Sequence, residues 1–436
     1  MTGTDQNERN VLDALDAGAD GLTALTAALV RIPSENTPPG GGERAAQEFL
    51  CGWLGEIGVE TELIDLEAVG GLAAHELFFR GAGYERRDYA GRPNVAGRLT
   101  GAGGGRTLIL NGHVDTMPVG RGRWTRDPFG GEVDGGRVFG RGAMDMKGGL
   151  AASLAALKAI RSAGVRLAGD VVFESVVDEE HGGSNGTLAN RLAGYGGDGA
   201  VILEPTGLKL YNAHKGFRIV HLSLTAAGGM PLGVQALPNP VEHIGSLIEC
   251  FRSFRDRRRR SAPVRAEYAD DLDPVPVFLN KLQAGEFSLA IPMQVPDACT
   301  LEVYWQTMPG ERREDVEREL FDYLDQWVAA HPELAAFGIE RRFSHRWMPG
   351  SRTEPDAPIV RTMRQAAGEV LGREVPPVGG PFPCDMFVLR HFGIDTVIFG
   401  PGGGGAHGVD EYVEIDSLMA TARTLALAIL RFCGTV

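Results

Sequence analysis

RTLILNGHVDT, residues 106–116, decides the fold class. Its apolar half is a short run bounded by Gly-rich sequence, as expected of a strand buried on both faces. Its end carries the polar residues His113 and Asp115. DVVFESVVDEE (170–180) and GAVILEP (199–205) repeat the theme: an apolar run, then acids. Between the first two runs lies GRGAMDMKGGLAASLAALKAIRSAG (140–164), a loop leading into a long helix. Alternating strand and helix predicts an α/β domain built on a mainly parallel mixed sheet flanked by helices. Ligands bind such sheets at the carboxyl ends of the strands. His113, Asp115, Asp145, Glu179, Glu180 and Glu204 all fall at or just after such ends.

Upstream, residues 9–33 and 43–57 read as helices, separated by a break at ENTPPGGG (35–42). Residues 58–64 read as a strand, and 66–92 as an irregular insertion. Downstream the pattern changes. Residues 216–226 alternate like a half-exposed strand, a helix follows at 241–257, strands at 276–283 and 298–307, a helix at 311–330 and a strand at 338–345. That β-α-β-β-α-β order describes a small two-layer domain. It sets the division as a first domain in two parts, 1–212 and 351–436, with the second domain, 213–350, inserted between them. The sheet pattern then resumes with a helix at 357–371, a strand ending in GPGGGGAH (400–407), and a last helix at 415–432.

The composition agrees with this division. A chain of 436 residues exceeds the size at which one core usually stops growing. A net charge of −14 repels phosphate backbones and anionic lipid, which argues against nucleic acid and membrane as partners. The one basic run, Arg257 to Arg260, reads as a solvated helix end. Five cysteines at wide spacing imply neither a disulfide framework nor a thiolate metal site, and fit a reducing cytoplasm. The N-terminal stretch is polar, and no segment is long and apolar enough to span a bilayer.

Five segments supply the chemistry: GHVDT (112–116), AMDMKGG (143–149), DEE (178–180), EPT (204–206) and GGAHGVDE (404–411). Carboxylates converging in one cleft repel unless cations bridge them. Histidine nitrogen and carboxylate oxygen suit Zn, Co or Mn. In His113-Val114-Asp115, residues i and i+2 share a strand face, so Asp115 can orient the His113 ring. In DEE, neighbours point apart, so one glutamate can ligate while the other stays free as a base.

Taken together these motifs resemble the di-metal aminoacylase/carboxypeptidase family, peptidase family M20, which includes acetylornithine deacetylase, succinyl-diaminopimelate desuccinylase and glutamate carboxypeptidase. The resemblance covers nearly the whole chain. It implies that His113 and Glu204 bind one divalent metal, Glu180 and His407 the other, and that Asp145 bridges them. It further implies that Glu179 is the general base, with Asp115 in support. Trp124, Asp127, Pro128 and Phe129 match the family's W-x-x-D-P-F segment and shape the cleft. The implied activity is hydrolysis of a C–N bond, an amide, in a small molecule, by attack of a metal-bound hydroxide. Two metal ions are implied, zinc first, with cobalt or manganese as alternatives. The resemblance also implies that 1–212 and 351–436 form the catalytic domain, that 213–350 is an inserted lid/dimerisation domain, and that a homodimer forms through this lid.

The lid departs from the family. The histidine usually found after the first lid strand is missing: TAAGGMPLGVQALPNP (225–240) stands there, and His221 and His243 read as structural. Gln306 stands where the family often has arginine. An arginine would pair bidentately with a substrate carboxylate. Its loss points to a shifted substrate class, an aromatic or otherwise unusual amide or amine. A carboxypeptidase, a hydrolytic deaminase and a non-catalytic scaffold are the alternatives. The scaffold predicts lost ligands, and none is lost. His181 and Asp385 are further candidates for lining the cleft. Cys384 has no paired base to make it a nucleophile. The Gly402–Gly405 run reads as a site of close backbone approach.

Overall fold

The computed structural model describes residues 3–80, 87–182, 184–230, 237–287 and 293–436. Its strands include, in chain order, β1 (Glu60–Ile64), β2 (Asn94–Leu99), β3 (Leu108–His113), β4 (Val171–Val176), β5 (Gly199–Ile202) and β6 (Leu210–His214). β7 (Gly216–Thr225), β8 (Val277–Ala284), β9 (Ala298–Thr307) and β10 (Gly338–Phe343) follow. The series ends with β11 (Ser351–Arg352), β12 (Pro377–Gly380) and β13 (Thr396–Ile398). The chain divides into two compact units: Met1–His214 with Arg352–Gly380 and Cys384–Val436, and Lys215–Ser351 with Pro381–Pro383.

In the first unit the sheet runs β11-β6-β13-β5-β3-β4-β2-β1, with β12 also paired to β6. Its centre is parallel, β13-β5-β3-β4, while β2 pairs antiparallel with both β4 and β1. The central strands are buried along their whole length, which is why they read as apolar runs without alternation. Register does the positioning. Leu108 stands opposite both Val171 and Gly199, and His113 opposite Val176. The carboxyl ends of three strands therefore coincide, and the polar residues that follow them share one rim.

Helices Gly148–Ser162 and Ile415–Cys433 pack against each other and are buried over most of their surface. The glycine pair that opens the first of them has a steric reason. A Cβ on Gly149 would lie 2.1 Å from the Leu203 carbonyl oxygen, closer than any real contact. The long helix predicted at 9–33 is two, Gly3–Ala17 and Ala19–Val30, broken at Gly18.

The second unit is a four-stranded antiparallel sheet in the order β8-β9-β7-β10, with helices Pro240–Ser261 and Arg313–Ala330. Val220, Leu222, Leu224, Leu301, Val303 and Trp305 bury one sheet face in a core with Leu247, Phe251, Phe254 and Leu320 of the helices. The basic run is not merely a solvated helix end. Arg258 is buried and pairs with Glu311 at 2.8 Å and Glu319 at 2.9 Å, and Arg259 pairs with Asp273. Sequence reading missed this because the acids lie on later elements.

Candidate active site

His113 closes β3, and its ring is fixed from behind. Nδ1 lies 2.8 Å from the backbone carbonyl oxygen of Asp115, so Nδ1 carries the proton. Nε2 then faces Asp145 Oδ1 at 3.2 Å, Glu204 Oε1 at 3.6 Å and Glu179 Oε2 at 4.0 Å. The carboxylate of Asp115 is 3.7 Å from Nδ1 and acts elsewhere. It accepts the amide N–H of Glu179 at 3.1 Å, that of Glu180 at 3.2 Å and the Asn36 side-chain amide at 2.8 Å. The sequence reading gave Asp115 the right target but the wrong group: its carbonyl holds the ring, while its carboxylate holds the DEE turn.

Asp145 faces both histidines at once. Oδ1 meets His113, and Oδ2 meets His407 Nε2 at 3.1 Å. His407 also reaches Glu180 Oε2 at 2.9 Å, and the other Glu180 oxygen accepts the Met117 amide at 3.1 Å. Six residues implied as ligands or base thus converge: His113, Asp145, Glu179, Glu180, Glu204 and His407. Donor atoms of His113, Glu179 and Glu204 lie within 4.8 Å of one another, as do those of His113, Asp145 and Glu180. Donors about 2.0–2.2 Å from a tetrahedral ion lie about 3.3–3.6 Å apart, so these spacings suit a metal. The chemistry agrees, because a neutral imidazole lone pair aimed at carboxylates is satisfied by a cation between them.

The electrostatics show the same tension. Burial raises the Glu179 carboxyl well above its ordinary value, with Glu204 and Asp385 adding to the effect. Burial and the Asp145 charge push Glu180 up to about 7. Burial also raises Glu204 strongly, again with help from Asp145. Burial would lower His113, but the charges of Glu204, Asp145 and Glu179 outweigh it and hold its pKa well above normal. Hydrogen bonds to Asp145 and Glu180 lift His407 to about 10. Against burial, its bonds to the two histidines keep Asp145 below the usual carboxylate range. Like charges are packed here at a spacing that only protons or metal ions can relieve.

Glu411 stands in the GGAHGVDE segment, but its supporting role, like that of Arg141, was not visible in the sequence. Glu411 Oε1 accepts the amides of Met144 at 3.0 Å and Asp145 at 3.1 Å, and Oε2 pairs with buried Arg141 at 2.6 Å. Arg141 also donates to the Gly408 carbonyl beside His407 at 3.0 Å. Of the other candidates, His181 lies 3.1 Å from the Asn36 carbonyl oxygen, and burial lowers its pKa. Asp385 is buried and accepts from Thr187 at 2.5 Å. Cys384 is buried, and burial raises its thiol far above normal, so it is no nucleophile. Trp124 donates to the Val119 carbonyl, and Asp127 caps the turn at Phe129. Gly403 pairs with Val413 and lies close against the neighbouring Tyr412, where a Cβ would stand 2.1 Å from the carbonyl oxygen.

In the second unit, His221 is fixed between Glu302 at 2.9 Å and Arg342 at 3.1 Å, and His243 lies against the Phe337 ring. Gln306 donates to the Pro381 carbonyl at 2.8 Å and to the Tyr304 hydroxyl at 3.1 Å. Part of the altered stretch, residues 231–236, lies outside the described residues.

An α/β sheet with two histidines and four carboxylates clustered at one rim, from strand ends and the loops beside them, defines a hydrolase of the metal-dependent type. Comparison with known proteins gives the family. The model of peptidase family M20/M25/M40 matches residues 109–431. The N-formyl-4-amino-5-aminomethyl-2-methylpyrimidine deformylase of Halalkalibacterium halodurans is 27% identical over 451 residues, covering 97% of each chain. The acetylornithine deacetylase of Myxococcus xanthus is 30% identical over 381 residues, covering 85% of this chain and 90% of that one. Human carnosine dipeptidase 1 shares the fold with a TM-score of 0.74 at 15% identity, covering 98% of both chains. The chain belongs to peptidase family M20/M25/M40, and it is a hydrolase acting on carbon–nitrogen bonds.

Proposed function

We propose that this enzyme removes a formyl group from an aromatic aminomethyl compound, at a centre that holds two divalent ions. The observation that carries the two-ion reading is Asp145, with one carboxylate oxygen turned to each histidine. His113 and Glu204 would hold one ion, Glu180 and His407 the other, with Asp145 between them. The donors suit zinc first, and cobalt or manganese also. When bound, such ions supply Lewis-acid polarisation of the carbonyl and of water.

The protein's own part is positional and acid–base. Glu179 sits within 4.0 Å of His113 and ligates nothing in this assignment, so it takes the proton of the attacking water. Water adds to the formyl carbon, the C–N bond breaks, and Glu179 returns the proton to the leaving nitrogen. Formate and a free amine result. Two features support the aromatic amide. The deformylase match spans 97% of both chains. Gln306, engaged with Pro381 and Tyr304, offers no positive charge to a substrate carboxylate, and a neutral pyrimidine needs none.

The test is turnover of metal-loaded protein on N-formyl-4-amino-5-aminomethyl-2-methylpyrimidine, N-acetylornithine and a dipeptide, beside Glu179→Ala. Formate and amine are expected in equal amounts from the first substrate. Removing the base should lower kcat by about 10²–10⁴-fold. Ammonia without formate would indicate a deaminase. Faster cleavage of N-acetylornithine or the dipeptide would overturn the deformylase assignment, and full activity in Glu179→Ala would overturn the base. We further propose a homodimer formed through the second unit, to be checked by light scattering. The five free thiols, four of them buried, agree with a reducing cytoplasm.

A further inference from the structure

Asp178, the first acid of the DEE motif, holds no place in the mechanism above, yet its surroundings are unusually specific. It is fully buried, and its backbone is left-handed, with φ of +72°. Aspartate tolerates that region better than most residues but still at a cost. Its backbone carbonyl accepts the Ser184 amide at 2.8 Å, closing the turn that carries Glu179 and Glu180. Its carboxylate engages residues outside the six clustered ones. It accepts the Tyr89 hydroxyl at 2.5 Å and pairs with Arg87. The Asn36 amide links it at 3.5 Å to the Asp115 carboxylate at 2.8 Å, which grips the amides of the same turn.

Tyr89 and Arg87 belong to the irregular segment before β2, which nothing so far connects to the chemistry. That segment is itself tied down beside the turn. Asn185, at the start of helix Asn185–Leu192, donates to the Tyr89 hydroxyl at 2.7 Å and accepts the Phe79 amide at 3.0 Å. The Tyr89 hydroxyl thus receives one hydrogen bond and donates one, leaving the ring little freedom to rotate.

We propose that Tyr89 is a positioning residue for Glu179, acting through Asp178. By locking the Asp178 carboxylate, it holds a strained left-handed backbone in place, and the following residue inherits that placement. The turn is gripped from two sides: Asp115 fixes its amides, and Tyr89 fixes its first side chain. In the proposed assignment Glu179 is no metal ligand, so its aim depends on this grip. A residue acting in this way changes the rate more than the binding.

This inference rests on Glu179 being the general base, and the test separates the two. In metal-loaded protein, Tyr89→Phe removes only the hydroxyl. With the formyl-aminomethylpyrimidine as substrate, kcat should fall about tenfold, the usual worth of one hydrogen bond to a charged group, with KM within about twofold. Placed in Glu179→Ala, the same change should cost nothing further, because the residue it aims is gone. Hydrogen exchange of the 178–185 segment should quicken in Tyr89→Phe while 108–116 stays unchanged, a readout needing no substrate. Unchanged kcat, or unchanged exchange of 178–185, would overturn the positioning role. So would an equal tenfold loss in the Glu179→Ala background, which would show that Tyr89 acts by another route. Full activity in Glu179→Ala alone would sink the base assignment, a failure recognisable before Tyr89 is tested.

Discussion

Glu411 does for Asp145 what Asp115 does for the DEE turn. One of its oxygens takes two backbone amides, Met144 and Asp145, and the other takes Arg141. In the proposed assignment Asp145 must present both oxygens at once, and the backbone beneath it is fixed by Glu411. Glu411→Gln keeps the shape but places a donor or a neutral oxygen where a charged acceptor stood. Partners that orient ligands in this way commonly contribute 10–100-fold to metal affinity, and about that loss is expected here. Competition with a metallochromic chelator would measure it. Affinity equal to wild type would show that the Asp145 backbone holds its place without Glu411.

At the scale of elements, the close seat of helix Gly148–Ser162 on the end of β5 governs where Glu204 stands. Gly149 faces the Leu203 carbonyl, one residue before Glu204, with no room for a methyl group. Gly149→Ala should therefore cost about 1–3 kcal/mol, as overpacking does. It should also lower activity, since relief requires the Leu203–Glu204 strand end to move. Calorimetry and turnover together check this: a lost Tm with full activity would mean that the helix yields and the strand end does not. Elements of this kind were legible in the sequence. β3, β4 and β5 announced themselves because strands buried on both faces read as unbroken apolar runs, and acids at their ends stand out. The second unit's β-α-β-β-α-β order was legible from its alternation. The supports were not. Arg141 meets Glu411 across 270 residues, and Tyr89 meets Asp178 across 89. Nothing local marks such pairs, because each residue type is common on loops and only the folded register brings it to the site. Asp115 was misread for a related reason: strand periodicity places its side chain but not its carbonyl.

For the whole molecule, the clustered acids make stability depend on pH and metal together. In metal-free protein, Glu180 has its pKa raised from 4.5 to about 7 by burial and Asp145, and burial raises Glu179 and Glu204 well above the ordinary carboxylate value too. A raised carboxyl binds its proton more tightly folded than unfolded. Folding is therefore penalised increasingly as pH rises from about 4.5 through the folded pKa. His407, raised to about 10, and His113 have the same sign: what they add is complete below 6.5 and is lost as pH climbs through their folded values. Asp145 has the opposite sign, but its window lies below 3.8, so it is constant near neutrality. Metal-free protein should accordingly lose stability between pH 5 and pH 8. Metal ions favour the deprotonated ligands and should bind more tightly over that same span. Each ion at a thousandfold excess over its Kd adds about 4 kcal/mol. The gap in Tm between metal-loaded and chelator-treated protein should thus widen steadily from pH 5.5 to pH 8, by calorimetry at fixed metal activity. A gap that stayed constant would mean that the acids at the strand ends are relieved by something other than the ions, and the two-metal reading of the site would fall with it.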